Sequence, residues 1–145
     1  MTIRDLHNNI NPQCLFPPIA AQTNSDAARV SEIIDTAGYE SLELVLVNGT
    51  NTDADATFTV LVEDGDNSAL SDNSAVDDKF LVGTEVLAGF TFTHDKKCRK
   101  IGYIGNKHYV RVTVTPNANG AGDWFMAGVA LLGHPHSAPT ANPPA

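Results

Sequence analysis

The fold is decided by residues 107–132. They read Lys107-His-Tyr-Val-Arg-Val-Thr-Val-Thr115, then the loop Pro116-Asn-Ala-Asn-Gly-Ala-Gly-Asp123, then Trp124-Phe-Met-Ala-Gly-Val-Ala-Leu-Leu132. In the first segment valines alternate with polar or aromatic residues, which is the period of a strand with one buried face. The glycines of the loop suit a turn between strands. We therefore predict one antiparallel hairpin and, with it, an all-β fold.

The second segment of this predicted hairpin is apolar on both faces. Trp124, Met126 and Leu132 share one face, while Phe125 and Val129 lie on the other. Such a strand is either central in a sandwich or covered by a neighbouring subunit. We predict that the face carrying Trp124 is an interface between subunits.

Further alternating segments occur upstream, separated by turn residues. Residues 41–48 place three leucines on one face, and residues 57–63 place Phe58, Val60 and Val62 inward. Alternation at this spacing, without an amphipathic helix, is typical of sandwiches. We predict a single antiparallel β-sandwich, or jelly-roll-like domain, of about eight strands. The expected strands are 28–35, 41–48, 57–63, 80–82, 88–94, 98–104, 107–115 and 124–132. In the polar stretch 64–78, Leu70 and Val76 are expected to fix the loop to the body.

Composition divides the chain into three zones. Residues 1–27 contain Pro12, Pro17 and Pro18 and have no sustained period, which predicts an extended N-terminal arm rather than a strand, because proline removes ladder donors. Residues 28–132 form the predicted body. Residues 133–145 contain four prolines among small residues and predict an extended or disordered tail.

Charge and cysteine content restrict the possible partners. A net charge of −8 over 145 residues argues against a nucleic-acid partner, which needs clustered basic residues. The short basic run 96–100 is interpreted as a solvated turn, with docking to an acidic surface as the alternative. No signal peptide or membrane span is evident, which predicts a cytoplasmic protein. Cys14 and Cys98 are expected to be free thiols, or a disulfide if they reach an oxidising surface.

Residues that could carry chemistry form no convincing site. The run Glu63-Asp-Gly-Asp-Asn67 offers oxygen ligands but lacks calcium-loop spacing, so a turn is the first interpretation and calcium the alternative. His134-Pro-His136 could offer two imidazoles to a metal, but no further ligand stands at a suitable spacing. No serine lies in a nucleophile-elbow context, and no phosphate loop is present. We expect a protein that is not an enzyme and has no cofactor or metal.

Three segments resemble one family. Thr36-Ala-Gly-Tyr-Glu-Ser-Leu-Glu-Leu-Val45, residues 99–115 and Gly128-Val-Ala-Leu-Leu-Gly-His-Pro135 are similar to small proteins encoded beside major capsid genes in tailed bacteriophages, as is the opening Met1-Thr-Ile-Arg-Asp5. These motifs are structural and carry no catalytic signature. The resemblance implies a capsid decoration, or cement, protein that stabilises the outer surface of the shell by bridging capsomers.

The resemblance also sets expectations for partners and location. The major capsid protein is the expected partner, the chain is expected to form homo-oligomers, with a trimer favoured, and it is expected on the capsid exterior after assembly in the host cytoplasm. The alternatives are another virion component, such as a head-tail connector or tail subunit, and a carbohydrate- or receptor-binding module. The residues predicted to lie at interfaces are Leu15, Phe16, Ile19, Tyr109, Trp124, Met126 and Leu132.

Overall fold

A computed structural model describes residues 4–144, and these residues form a sandwich of two antiparallel sheets. Six strands are long and six are two-residue segments at their edges. In chain order they are β1 (Ile10–Phe16), β2 (Gln22–Thr23), β3 (Arg29–Val30), β4 (Ile34–Asp35), β5 (Tyr39–Asn51), β6 (Thr57–Gly65), β7 (Ser74–Ala75), β8 (Leu81–Val82), β9 (Phe90–Thr91), β10 (Cys98–Tyr103), β11 (Tyr109–Asn117) and β12 (Asp123–Pro135). A short helix, α1 (Glu85–Ala88), and 3₁₀ turns at His7–Asn9 and Asp78–Phe80 complete the described elements.

The strand order confirms the predicted sandwich. Sheet A runs β1-β12-β5-β10-β8, with β2 pairing the end of β12, and sheet B runs β3-β11-β6-β7, with β4 on β11 and β9 on β6. Leaving out the two-residue strands β2 and β8, the remaining strands occupy eight positions in chain order when β3 and β4 together count as the second and β7 and β9 together as the fifth. In these numbers sheet A runs 1-8-3-6 and sheet B runs 2-7-4-5. Successive positions therefore alternate between the two sheets, except for the fourth and fifth, which both lie in sheet B, as in a jelly roll.

The core lies between the inner faces of the two sheets. Trp124 of sheet A packs on Phe58 of sheet B with ring centroids 4.7 Å apart, and Phe58 stacks on Phe90 at the same distance. The inward faces predicted for residues 41–48, 57–63 and 107–115 are all buried. Leu70 and Val76 are also buried, which confirms that they fix the polar loop to the body.

The predicted hairpin is wrong, although both of its strands exist. β11 pairs with β6 in sheet B from Tyr109 to Asn117, whereas β12 lies in sheet A between β1 and β5. Residues 118–122 therefore cross from one sheet to the other, a distance of about 10 Å that five residues span easily. Residues 124–132 are apolar on the inner side because they belong to the opposite wall of the core.

The predicted N-terminal arm is also wrong, because part of it is a strand. β1 pairs antiparallel with β12 from Ile10 to Phe16 and forms one edge of sheet A. Pro12 is tolerated there because an edge strand can lack a ladder donor. Leu15 and Phe16 are 0% and 1% exposed. The domain boundary predicted at residue 27 therefore separates β1 and β2 from the other strands of sheet A.

The C-terminal segment returns to the N-terminal one. β12 extends to Pro135, beyond the body boundary predicted at residue 132. Thr140 then donates its backbone N–H to the carbonyl of Asn8 at 3.0 Å and its hydroxyl to the carbonyl of Ile10 at 2.7 Å. Within residues 4–144, no helix is long and apolar enough to cross a membrane.

Candidate interaction surface

The side of sheet A that faces away from the core is mostly apolar. We call this side the outer face of sheet A. Its residues are identified by their alternation along each strand and by the register between neighbouring strands. Its members across the five strands are Ile10, Pro12 and Cys14 (β1), Asp123, Phe125, Ala127, Val129, Leu131 and Gly133 (β12), Ser41, Glu43, Val45, Val47 and Gly49 (β5), Cys98, Lys100 and Gly102 (β10) and Val82 (β8). Its charged members are Glu43 and Lys100 on neighbouring strands and Asp123 at the start of β12.

Several large apolar side chains of this face are open to solvent. Val82 is 56% exposed, Phe125 43%, Val47 42% and Val129 37%. Val129 lies directly opposite Val45 in the register, and Ala127 lies opposite Val47, so these side chains form neighbouring rows. A contiguous exposed apolar patch of this kind is a common feature of interaction surfaces.

Two charges of the outer face stand on neighbouring strands. Lys100 is registered opposite Val45, and Gly102 opposite Glu43, so Glu43 and Lys100 are diagonal neighbours. A side chain at position 102 would meet the Glu43 carboxylate at 3.0 Å, so glycine leaves room for Glu43 to lie against the sheet. Burial raises the pKa of Glu43, and the positive charge of Lys100 partly offsets this.

Both cysteines belong to the outer face of sheet A. Cys14 and Cys98 are exposed and free, which confirms the expectation of two free thiols. They stand on β1 and β10, with β12 and β5 between them. That separation is roughly 14 Å at ordinary strand spacing, which is too far for an intramolecular disulfide.

A groove extends the outer face at one end of the sheet. It has a volume of about 520 Å³ and lies where the N-terminal segment, including Leu6, runs beside Leu131 and Glu43. Leu6 is well exposed at the rim. The apolar surface therefore continues from the strands to the N-terminal segment.

The outer face of sheet B has a different chemistry. Threonines predominate on it, and Arg111 donates from Nε to Oε2 of Glu63 at 2.9 Å. Thr113 and Asn73 also donate to this carboxylate, and the Arg111 guanidinium is the main reason that the pKa of Glu63 is lowered. Leu61, 37% exposed, and Val30 are large apolar side chains among these polar groups.

The structure corrects most of the predicted interface residues. Five of them are buried in this chain's own core and are not available to another subunit: Leu15, Phe16, Trp124, Met126 and Leu132. The choice between the two faces of β12 was therefore wrong, since the exposed face is the one with Phe125 and Val129. Ile19 is 59% exposed in the segment after β1, and Tyr109 is half-buried on the outer face of sheet B. An interface role for these two residues stays a prediction.

The polar groups that suggested metal sites have local partners. Asp72 accepts the backbone N–H groups of Asp66 and Asn67 at 2.9 and 3.1 Å, which makes the acidic stretch a hydrogen-bonded turn. His134 contacts the Ser41 hydroxyl at 2.8 Å, whereas His136 pairs with Glu40. The two imidazoles thus have separate partners. Among residues 4–144 there is no group of three His, Cys, Asp or Glu side chains that could hold a metal ion.

Comparison with known proteins identifies the fold and no family. No protein-family model and no curated protein matches the chain. The PBSX exported protein XepA is similar with a TM-score of 0.52 and 10% identity, over 84% of this chain and 36% of XepA. The SPBc2 prophage-derived protein YomS has a TM-score of 0.40 and 13% identity, over 90% and 96% of the two chains.

A carbohydrate-binding module is also among the matching structures. It is the CBM35 module from Cellvibrio japonicus Abf62, with a TM-score of 0.42 and 12% identity over 84% of this chain and 93% of the module. XepA and YomS are phage-derived. This chain spans about a third of the length of XepA, and at these identities the likeness concerns the fold alone.

Proposed function

We propose that this chain is a non-enzymatic structural protein of a phage particle, which decorates the exterior of the capsid and stabilises it by bridging capsomers. Support comes from the resemblance of residues 36–45, 99–115 and 128–135 to capsid decoration proteins, and the sandwich shared with the phage-derived XepA is compatible with it. The proposed partners are the major capsid protein and further copies of this chain.

One observation supports this proposal above the others, namely the contrast between the two outer faces. The outer face of sheet B exposes mainly threonines and the Arg111–Glu63 ion pair to solvent. The outer face of sheet A instead exposes Phe125, Val129 and Val47. A free monomer gains nothing from such exposure, and a protein held in an assembly gains buried apolar area. The strands of sheet A, which are held in place by the jelly roll, carry this surface.

A sugar-binding module is less well supported by the same structure. Stacking on a sugar ring needs aromatic side chains presented together at a surface. The largest aromatic cluster here, formed by Trp124, Phe58 and Phe90, is instead inside the sandwich. Phe125 is the aromatic residue of the outer face of sheet A, and its neighbours are aliphatic.

Co-sedimentation with capsids tests the proposed function. Purified full-length chain is mixed with expanded empty shells and, separately, with unassembled capsid subunits. We expect the chain to pellet with the shells, with the bound amount saturating in proportion to the surface area of the shells. We expect no binding to the unassembled subunits. Binding at one vertex per shell would instead indicate a connector, and failure to pellet with any shell would contradict the proposal.

A further inference from the structure

We propose that the outer face of sheet A packs against the same face of a second copy, giving a twofold-symmetric dimer. This inference rests on the proposed function only in taking that face to be covered by protein. It commits to one occupant, the identical face of another chain, rather than to the capsid protein. The arguments are the area of the face, its charges and its shape.

The area of the face suits a stable dimer. The five strands of sheet A that form it hold 41 residues. At about 3.3 Å per residue and about 4.8 Å between strands, the plane measures about 650 Å². Each partner in a stable complex contributes about 600–1,000 Å². The face is therefore large enough without any contribution from loops.

The charges of the face are self-complementary. The whole chain carries −8, so two copies repel each other over most orientations. Apart from Asp123 at the start of β12, the outer face of sheet A carries one carboxylate, Glu43, and one ammonium group, Lys100, whose charges balance. In a twofold contact, if residue i meets residue j, then j also meets i. Glu43 can thus face Lys100 of the second copy, and the same pair forms again on the other side of the axis.

The shape of the face also suits sheet-on-sheet packing. Gly102 and Ala127 keep parts of the surface low, and the valines of β5 and β12 project between them. Two sheets pack aligned at about 10 Å when such side chains interdigitate. A dimer would present two copies of every remaining surface, so weak contacts with the capsid would add up to strong retention.

Sedimentation velocity of the full-length chain over a concentration series tests the dimer. The variants are Val129→Lys, on the outer face of sheet A, and Leu61→Lys, on the outer face of sheet B, because both residues are 37% exposed. We expect the wild type and Leu61→Lys to sediment as dimers. Val129→Lys is expected to raise the dissociation constant about tenfold or more, because the ammonium group must be buried in an apolar contact. Far-UV circular dichroism confirms that both variants fold.

Charge reversal provides a second test that depends on the twofold geometry. Glu43→Lys alone places two cations on each face and Lys100→Glu alone two anions, so each variant is expected to be largely monomeric. When the two variants are mixed, each Lys meets a Glu across the interface, and we expect heterodimers to form. Native mass spectrometry distinguishes the mixed dimer from the parent chains.

The outcomes separate this inference from the proposed function. A wild type that stays monomeric or forms trimers, equal behaviour of Val129→Lys and Leu61→Lys, or no recovery on mixing would each overturn the dimer. Capsid binding by such a monomer or trimer would leave the proposed function intact. A wild-type dimer that responds to the variants as expected but does not pellet with shells would support the dimer and overturn the proposed function.

Discussion

The outer faces of the two sheets are built by the same alternation and have opposite chemistry. On sheet B, Arg111 and Glu63 are directly paired in the register and joined by an ion pair, with threonines around them. On sheet A, the corresponding rows hold Val129 opposite Val45 and Ala127 opposite Val47. Apart from Leu61 and Val30, the side chains of the first surface are well hydrated, whereas most of those on the second surface are poorly hydrated.

This difference is instructive because the fold does not require it. The inner faces of both sheets are predominantly apolar, and together they supply the core with Trp124, Phe58 and the buried valines of β11. An outward residue of sheet A could be polar without changing the sandwich, as sheet B demonstrates. The fold therefore does not account for the apolar outer residues, and the variants below test the proposed partner in order of expected effect.

The largest effect should separate the two sides of a single strand. Trp124→Ala removes the largest fully buried side chain and is expected to lower the free energy of unfolding by about 4 kcal/mol. Phe125→Ala, one residue further along β12, should cost the monomer about 1 kcal/mol but should weaken assembly. Urea unfolding and sedimentation velocity measure the two effects. Equal losses of stability would mean that the two sides of β12 are not distinct.

β1 supplies the next test, because Pro12 and Cys14 belong to the outer face only while β1 is anchored. Leu15→Ala is expected to cost about 3 kcal/mol, since its side chain is fully buried in the core. Ile19→Ala is the control, because Ile19 lies outside the strand and is mostly exposed, and its stability should be unchanged. Thermal unfolding compares the two. A stable Leu15→Ala variant would restore the interpretation of residues 1–27 as a separate arm.

The two outer glutamates should respond to pH with opposite signs. The lowered pKa of Glu63 means that its ionised form stabilises the fold above the unfolded value of about 4.3, and that this contribution is lost as the pH falls through the lowered pKa. Glu63→Gln should therefore cost about 1 kcal/mol at pH 7, and this cost should shrink as the pH falls through the lowered pKa of Glu63.

The Glu43 carboxyl has a raised pKa, so its ionisation opposes folding of the monomer as the pH rises. Glu43→Gln is therefore expected to leave the monomer at least as stable as the wild type at pH 7. Urea titrations at pH 3 and 7, at concentrations where the chain is monomeric, give both differences. A loss of monomer stability in Glu43→Gln would contradict this expectation. It would show that Lys100 stabilises the Glu43 carboxylate within the monomer.

Alternation predicted the class of fold and most inward faces correctly. Leu42, Leu44 and Leu46 alternate with half-exposed or exposed residues, and Val110, Val112 and Val114 with polar ones or Tyr109, so a single strand identifies its own buried side. The partner of a strand is not contained in its own pattern. β11 and β12 are neighbours in sequence and still belong to different sheets, because in a jelly roll the connection between them crosses from one sheet to the other.

The candidate surface was harder to predict than the fold. β12 is apolar on both sides, so periodicity could not decide whether Trp124 or Phe125 faces the core. The prolines near β1 concealed an edge strand whose pairing with β12 is long-range. One usable signal was present in β5. Leucines occupy one side of this strand, and Glu43, Val45 and Val47 occupy the other. The charged residue identifies the second side as the outer one, although the rest of that side is apolar.

Thiol protection on assembled particles tests most directly the central claim that the outer face of sheet A is covered by protein. Cys14 and Cys98 report on that face in the wild type. Thr113→Cys, in a Cys14→Ser/Cys98→Ser background, reports on the outer face of sheet B. Maleimide labelling rates are compared between shell-bound protein and dilute, monomeric protein. We predict that assembly slows labelling of Cys14 and Cys98 about tenfold or more and leaves labelling of the thiol introduced by Thr113→Cys unchanged. Equal labelling of Cys14 and Cys98 in both states, or protection of the introduced thiol instead, would contradict the account.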